Sequence, residues 1–269
     1  MKCNICGSQT SKIFTKKLLF QYEVDYFRCH TCLFVQTEQP YWLDEAYASA
    51  ITSLDIGLVS RNKQVSVIVE GLINAFFDKN GNFLDYGGGY GLLVRMLRDK
   101  GFNFYREDKY CENLFAKNFD VTDIEDKSAF ELLSAFELFE HLPDPLAEIN
   151  AMLCKSENIL FSTDLQPNKG VGDWEYIAPE IGQHVSFYHY ETLMYIGKKF
   201  QMNVYSNKKN IHLLTRKKLN SGFFALLTRP KAAKFYNLFA SSGNSLLLSD
   251  YDMVKQKLKR SHADLKSAE

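Results

Sequence analysis

Residues 82 to 91 read NFLDYGGGYG. Phe83, Leu84 and Tyr86 make a short apolar run, the mark of a strand buried in a sheet, and it leads into four glycines within five positions. GLLVRMLRDKG follows, with Leu92, Leu93, Met96 and Leu97 on one helical face and Gly101 placed to stop the helix. Strand, glycine turn and helix in that order bring bare backbone N–H groups up to a nucleotide-like ligand. The spacing narrows the choice. Gly87, Gly89 and Gly91 give G-x-G-x-G, whereas the dinucleotide fingerprint wants glycine or alanine at position 92, which here is Leu. Asp85, two residues before the first glycine, is placed to organise the loop or meet a cationic ligand group.

Downstream residues extend an α/β pattern. Phe102 to Glu107 reads as a second strand ending at Asp108, which lies 21 residues after Gly87, where such folds place an acid on ribose hydroxyls. Glu107 is the adjacent alternative, because strand alternation points only one of the two at the ligand. A third strand is indistinct near Lys117 to Phe119, and Asp120 to Asp126 supplies a loop for the ligand's base. Phe130 to Ala135 is the next strand, and Phe136 to Leu142, at its carboxyl end, should face the pocket. Asp144-Pro145 reads as an N-cap followed by proline at the first helical position. Asn158 to Thr163 is a further strand and Glu191 to Phe200 a helix, with His189 at its entry. Val204 to Ser206 and Ile211 to Thr215 close the sheet as an antiparallel pair.

Before this core, Cys3-x2-Cys6 is followed after 22 residues by Cys29-x2-Cys32. Two such knuckles complete a tetrahedral Cys₄ zinc site with no open position, so the predicted role of the metal is structural. A ribbon this short buries little core, and the expectation is that zinc supplies most of its folding free energy. Residues 39–80 form a helical connector. Its amphipathic face carries Val65, Ile68, Val69, Leu72, Ile73, Phe76 and Phe77. Tyr41, Trp42 and Tyr47 either pack between ribbon and core or form a lid that excludes water; Arg61 and Asn62 can reach a ligand carboxylate from the same segment. Residues 217–269 read as two short helices, the last basic, that pack on the core or mediate dimerisation.

Lys+Arg and Asp+Glu both number 32, so no global basic field draws the chain to nucleic acid or an anionic membrane. The first residues lack an apolar signal core, and no apolar run is long enough to span a bilayer. The expectation is a cytoplasmic monomer or homodimer whose six cysteines serve as metal ligands and buried thiols rather than disulfides.

Asp85, the three alternate glycines and the stretch AFELFEHLPDP together resemble class I S-adenosylmethionine (SAM) dependent methyltransferases. The resemblance implies a Rossmann-like α/β fold with a seven-stranded sheet over residues 81–216, an N-terminal zinc ribbon over 1–38 and a short C-terminal helical extension. It also implies SAM as methyl donor, held by Asp85, Gly87, Gly89, Gly91, Asp108 and Phe136. With the Cys₄ ribbon, aromatic connector, E-H after the fourth strand and a later Q-H, residues 1 to 216 are more closely similar to deoxysugar C-methyltransferases and shorter surface-polysaccharide relatives. From that likeness His184 is the expected catalytic histidine, preceded by Gln183 where the family has Glu. His141, next to Glu140, matches a second active-site position. A neutral histidine suits removal of the acceptor's proton, since SAM's methyl group is already activated. Glu137, Glu140 and His141, spaced E-x-x-E-H, offer a rival use as a magnesium site if they share a helical turn. The expected acceptor is a small molecule, a sugar or sugar nucleotide, with no nucleic acid partner. The rivals are a zinc-ribbon RNA methyltransferase and a non-catalytic scaffold that keeps the SAM fold.

Overall fold

A computed structural model describes residues 1–48, 54–124, 129–240 and 243–267, with side chains through residue 260. In chain order the elements are β1 (Thr10–Leu18), β2 (Tyr22–Cys29), β3 (Val35–Thr37), α1 (Leu43–Ala46), α2 (Leu58–Phe76), β4 (Asn82–Tyr86), α3 (Leu92–Arg98) and β5 (Asn103–Glu107). They continue as β6 (Leu132–Ala135), α4 (Pro145–Leu153), β7 (Asn158–Ser162), β8 (Ser186–Phe187), α5 (Tyr190–Phe200), β9 (Asn203–Ser206) and β10 (Ile211–Thr215). The tail adds α6 (Ser221–Leu227), α7 (Pro230–Asn237) and α8 (Leu247–Ser267), one helix more than the sequence pattern gave.

The central sheet runs β5-β4-β6-β7-β10-β9, parallel among its first four strands and antiparallel at β10 and β9. Its middle strands are buried on both faces, which is why they read as apolar runs instead of alternating ones. Strand alternation sends Phe83 to one face, against Val69, Leu93, Leu97 and Phe224 from α2, α3 and α6. Leu84 goes to the other, against Ile149 of α4 and Leu193 and Ile196 of α5.

Six strands are seen among the described residues, where seven were expected. The place of the third is held by one parallel bridge, Arg106 to Asp120. Asp120 ends the extended run because it opens a 3₁₀ turn: its backbone N–H is held by Asp123, in a reciprocal capping box. Other local signals map directly. Asp144 caps α4, its Oδ1 accepting the Ala147 N–H at 3.2 Å, and His189 caps α5 by accepting the Glu191 N–H at Nδ1, 3.1 Å. The adenine-side loop was expected to extend to Asp126, but 125–128 lie outside the described residues.

The N-terminal ribbon is joined to the core. β8 extends its sheet, giving the order β1-β2-β3-β8, with Val35 opposite Phe187. Leu18, Val24, Tyr26 and Val35 bury against Trp42 of the connector and Ile177, Val185 and Phe187 of the core. The Trp42 indole N–H donates to the Gly182 carbonyl at 2.8 Å, and the side chain is packed between ribbon and core. Beside the expected metal, this shared apolar cluster contributes to holding the ribbon. The tail is anchored at Asp250, whose carboxylate takes a bidentate pair from Arg98 at 2.6 and 2.9 Å, both side chains nearly buried. Among the described residues no helix is long and apolar enough to cross a membrane.

Candidate functional site

The loop after β4 is drawn tight over the end of β5. The Gly87 and Gly88 N–H groups both donate to the Glu107 carbonyl, at 2.8 and 3.3 Å. Gly87, Gly89 and Gly91 all have positive φ, at 70°, 53° and 84°. At Gly91 a Cβ would also lie 2.8 Å from Asn113 Oδ1, so glycine is required there by both conformation and space.

Asp85 stands beneath this loop, only 3% exposed, and accepts one hydrogen bond from Ser134 Oγ at 2.6 Å. Burial pushes its carboxyl up to about 7; the charge on Asp108 adds to the effect, while Ser134 and Arg106 oppose it. Asp108 ties two loops together: Oδ2 accepts the Gly89 N–H at 2.9 Å, and Oδ1 accepts those of Tyr110 and Cys111 at 2.8 and 2.7 Å. Glu107, the alternative, pairs with Lys155 at 3.0 Å.

One cavity of about 800 Å³ runs from the glycine loop, Asp85 and Asp108 past Phe136 to Tyr47, His141 and His184. The two histidines cross nearly perpendicular, ring centroids 4.8 Å apart. The His184 Nδ1–H donates to the Tyr176 carbonyl at 2.5 Å, which fixes the tautomer and leaves Nε2 with a lone pair. His141 Nδ1 is bonded to the Tyr47 hydroxyl at 2.9 Å. Burial pushes both imidazoles down, His141 to about 3 with help from His184, so both are neutral at pH 7.

Glu140 is not among the residues lining this cavity; it is fully buried behind the histidines, with neither carboxylate oxygen hydrogen-bonded. Burial first, and the charge of Glu137 second, push its carboxyl up to about 8. Glu137 itself turns away on a left-handed backbone, φ 52°, with its Oε1 accepting from Ser162 Oγ at 2.8 Å. The segment is a 3₁₀ turn over Phe139–His141, not one α-helical turn, so the E-x-x-E-H spacing fails to bring Glu137, Glu140 and His141 together. The group that does converge is Glu140, His141 and His184, with ligand atoms within 4.8 Å of one another. Arg61 and Asn62 both line the cavity, but the Arg61 guanidinium is engaged by Asp55 at 2.8 Å and Glu137 at 3.5 Å. Tyr47, read from the sequence only as packing or lid, is the residue that touches His141.

Cys3, Cys6, Cys29 and Cys32 form the other convergent group. The Cys3–Cys32 and Cys6–Cys29 sulfur pairs are 3.6 and 3.3 Å apart, close to the roughly 3.8 Å set by four zinc–sulfur bonds in a tetrahedron. The Ile5 and Thr31 N–H groups point at the Cys3 and Cys29 sulfurs, both at 3.4 Å, as amides of a metal knuckle do. These residues fit a zinc ion. None of the six cysteines is in a disulfide, and Cys154 is exposed, not buried as expected.

A mixed α/β sheet carries a glycine loop at the carboxyl end of β4, an acid closing that loop and a histidine pair across one cavity, the place where open α/β sheets bind their ligands. The methyltransferase-domain family model matches residues 62–207, more than half of the chain, and the chain belongs to that family. No curated protein matches it in sequence. Among solved structures it is similar to CalO1, a methyltransferase in calicheamicin biosynthesis, at 12% identity and TM-score 0.41, covering 64% of this chain and 60% of that one. It is also similar to an O-methyltransferase family 2 protein from Planctomyces limnophilus DSM 3776 in complex with apigenin, at 12% identity and TM-score 0.44, covering 65% and 61%. A third is magnesium protoporphyrin IX methyltransferase from Synechocystis PCC 6803, at 12% identity and TM-score 0.41, covering 64% and 90%. The chain thus spans about three-fifths of the first two of these proteins.

Proposed function

We propose that this protein transfers a methyl group from SAM to a small-molecule acceptor of sugar type. The observation that carries the reading is the single cavity joining the glycine loop to the histidine pair. SAM supplies an activated methyl group on a sulfonium. Asp85 and the surface of the glycine loop, whose Gly87, Gly88, Gly89 and Gly91 N–H groups are taken up within the protein, face its methionine end, Asp108 and the adjoining loop its ribose, and Phe136 lies between the donor and acceptor ends. At the acceptor end, the Nε2 lone pair of His184 takes the acceptor's proton, with its tautomer held by the Tyr176 carbonyl. Tyr47 and His141 fix the wall beside it. Four cysteine thiolates hold a structural zinc, which supplies no chemistry at the cavity. Turnover of SAM against a panel of sugars and sugar nucleotides tests the reading. Wild type should methylate at least one, and His184→Ala should lose about 10²- to 10⁴-fold in kcat. Equal turnover by the variant would remove His184 from the chemistry.

A second reading of the acceptor end is favoured by the bare carboxylate of Glu140: a divalent cation on Glu140, His141 and His184. Methyl transfer that survives EDTA while the thiolate-held zinc is retained excludes it.

A further inference from the structure

Charge along the chain is uneven. Residues 217–269 hold ten of the 32 basic residues and four of the 32 acidic ones, a net of +6 in a chain that is neutral as a whole. In this tail α7 lies on α2 by one face, with Ala233 buried against Gly71, where an added Cβ would come 3.3 Å from that of the alanine. The opposite face of α7 carries Lys231, Lys234, Phe235 and Leu238, spaced i, i+3, i+4 and i+7, with Phe239 just beyond. Phe235 and Phe239 touch edge to face, ring centroids 5.1 Å apart, yet are 65% and 76% exposed. α8 is held by Asp250 on Arg98 and, farther along, by Lys257 on Asp123 at 2.8 Å. Leu248, Tyr251, Lys255, Leu258 and Lys259 share a stripe on another side of this helix, and all five are exposed. Lys255 Nζ stands over the Tyr251 ring, 5.8 Å from its centroid.

Clustered exposed phenylalanines and leucines mark contact surfaces. Here they are interleaved with lysines, so the partner that fits is at once apolar and anionic. Two copies paired through these faces about a twofold axis would set one basic face against another. A nucleic acid would engage the lysines but leave Leu238 and Leu248 in water. Anionic lipid meets both demands: the aromatic and aliphatic groups enter between the headgroups, and the lysines extend to the phosphates.

We propose that the outward faces of α7 and α8 dock this protein on an anionic lipid surface. Both helices lie along that surface, and neither is long and apolar enough to cross it. The tail supplies the attraction locally, without any net charge on the whole chain.

The test is co-sedimentation of the full chain with vesicles of phosphatidylcholine, alone or with about a third phosphatidylglycerol. The mixed vesicles should bind about tenfold or more tighter, and added salt should weaken that binding. Two variants should each weaken it about tenfold with the melting temperature unchanged: Phe235→Ser with Phe239→Ser, and Lys231→Gln, Lys234→Gln, Lys255→Gln and Lys259→Gln together. Should the phenylalanine changes lower the melting temperature, the lysine set carries the test alone. Absence of binding to the mixed vesicles overturns the proposal, as does equal binding to both kinds or binding that the lysine set leaves unchanged. Two rival coverings would overturn it as well. One is a dimer in sedimentation velocity that the phenylalanine variant dissociates. The other is RNA binding that the lysine variant loses and the phenylalanine variant keeps.

Discussion

Asp85→Asn should remove a pH dependence from donor binding that the buried carboxyl creates. In the ligand-free protein the Asp85 carboxyl is raised from 3.8 to about 7 by burial. Roughly 3 units at 1.36 kcal/mol each make ionising it in place cost about 4 kcal/mol relative to the unfolded chain. Because the folded value is the higher one, the associated stability is fully present below about pH 4 and is lost as pH rises through 7. The cationic groups of SAM favour the ionised form, so binding below pH 7 must expel the proton. Apparent affinity should then weaken about tenfold between the plateau above pH 8 and pH 6, with close to one proton released at the lower pH. Calorimetry in buffers of differing ionisation enthalpy, from pH 5.5 to 8.5, reads both quantities. The Asn variant should bind more weakly on the plateau, with a flat profile and no proton release. It should also lose the decline in ligand-free stability between pH 4 and 7. A flat profile in wild type, or the same slope in the variant, would refute the assignment of Asp85 to the donor's cationic end.

Other outcomes follow from structure away from the cavity. Purified protein should carry about one zinc per chain, and Cys29→Ser should lose it. Since the ribbon shares its apolar cluster with the core, the same change should lower the melting temperature of the whole chain instead of unfolding the ribbon alone. Asp250→Asn leaves Arg98 charged and nearly buried and should cost about 3–5 kcal/mol in urea unfolding. A loss under 1 kcal/mol would show that α8 is only loosely attached.

What the chain reveals to direct reading is mostly local. Gly87, Gly89 and Gly91 were legible because only glycine takes three left-handed positions so close together, and Asp144-Pro145 and the paired cysteines because their partners lie within a few residues. Long-range facts were not. The Tyr47–His141 bond spans 94 residues, and no periodicity encodes it. The failed third strand turned on one capping box at Asp120, which competes with sheet hydrogen bonds on nearly equal terms. Glu137 was misplaced because E-x-x-E-H was read as α-helical, whereas Leu142-Pro143 and the return to Asp144 hold the segment in a 3₁₀ turn. The joining of ribbon and core through Ser186–Phe187 was hidden because two residues make too short a strand to show alternation.

The central claim is that one cavity divides into a donor half at the glycine loop and an acceptor half at His184. Calorimetric titration of S-adenosylhomocysteine (SAH) into wild type and His184→Ala, paired with SAM turnover by each, tests it most directly. The account predicts one SAH site per chain of equal affinity in both proteins, with turnover lost only in the variant. A wild-type protein that binds no SAH would contradict it.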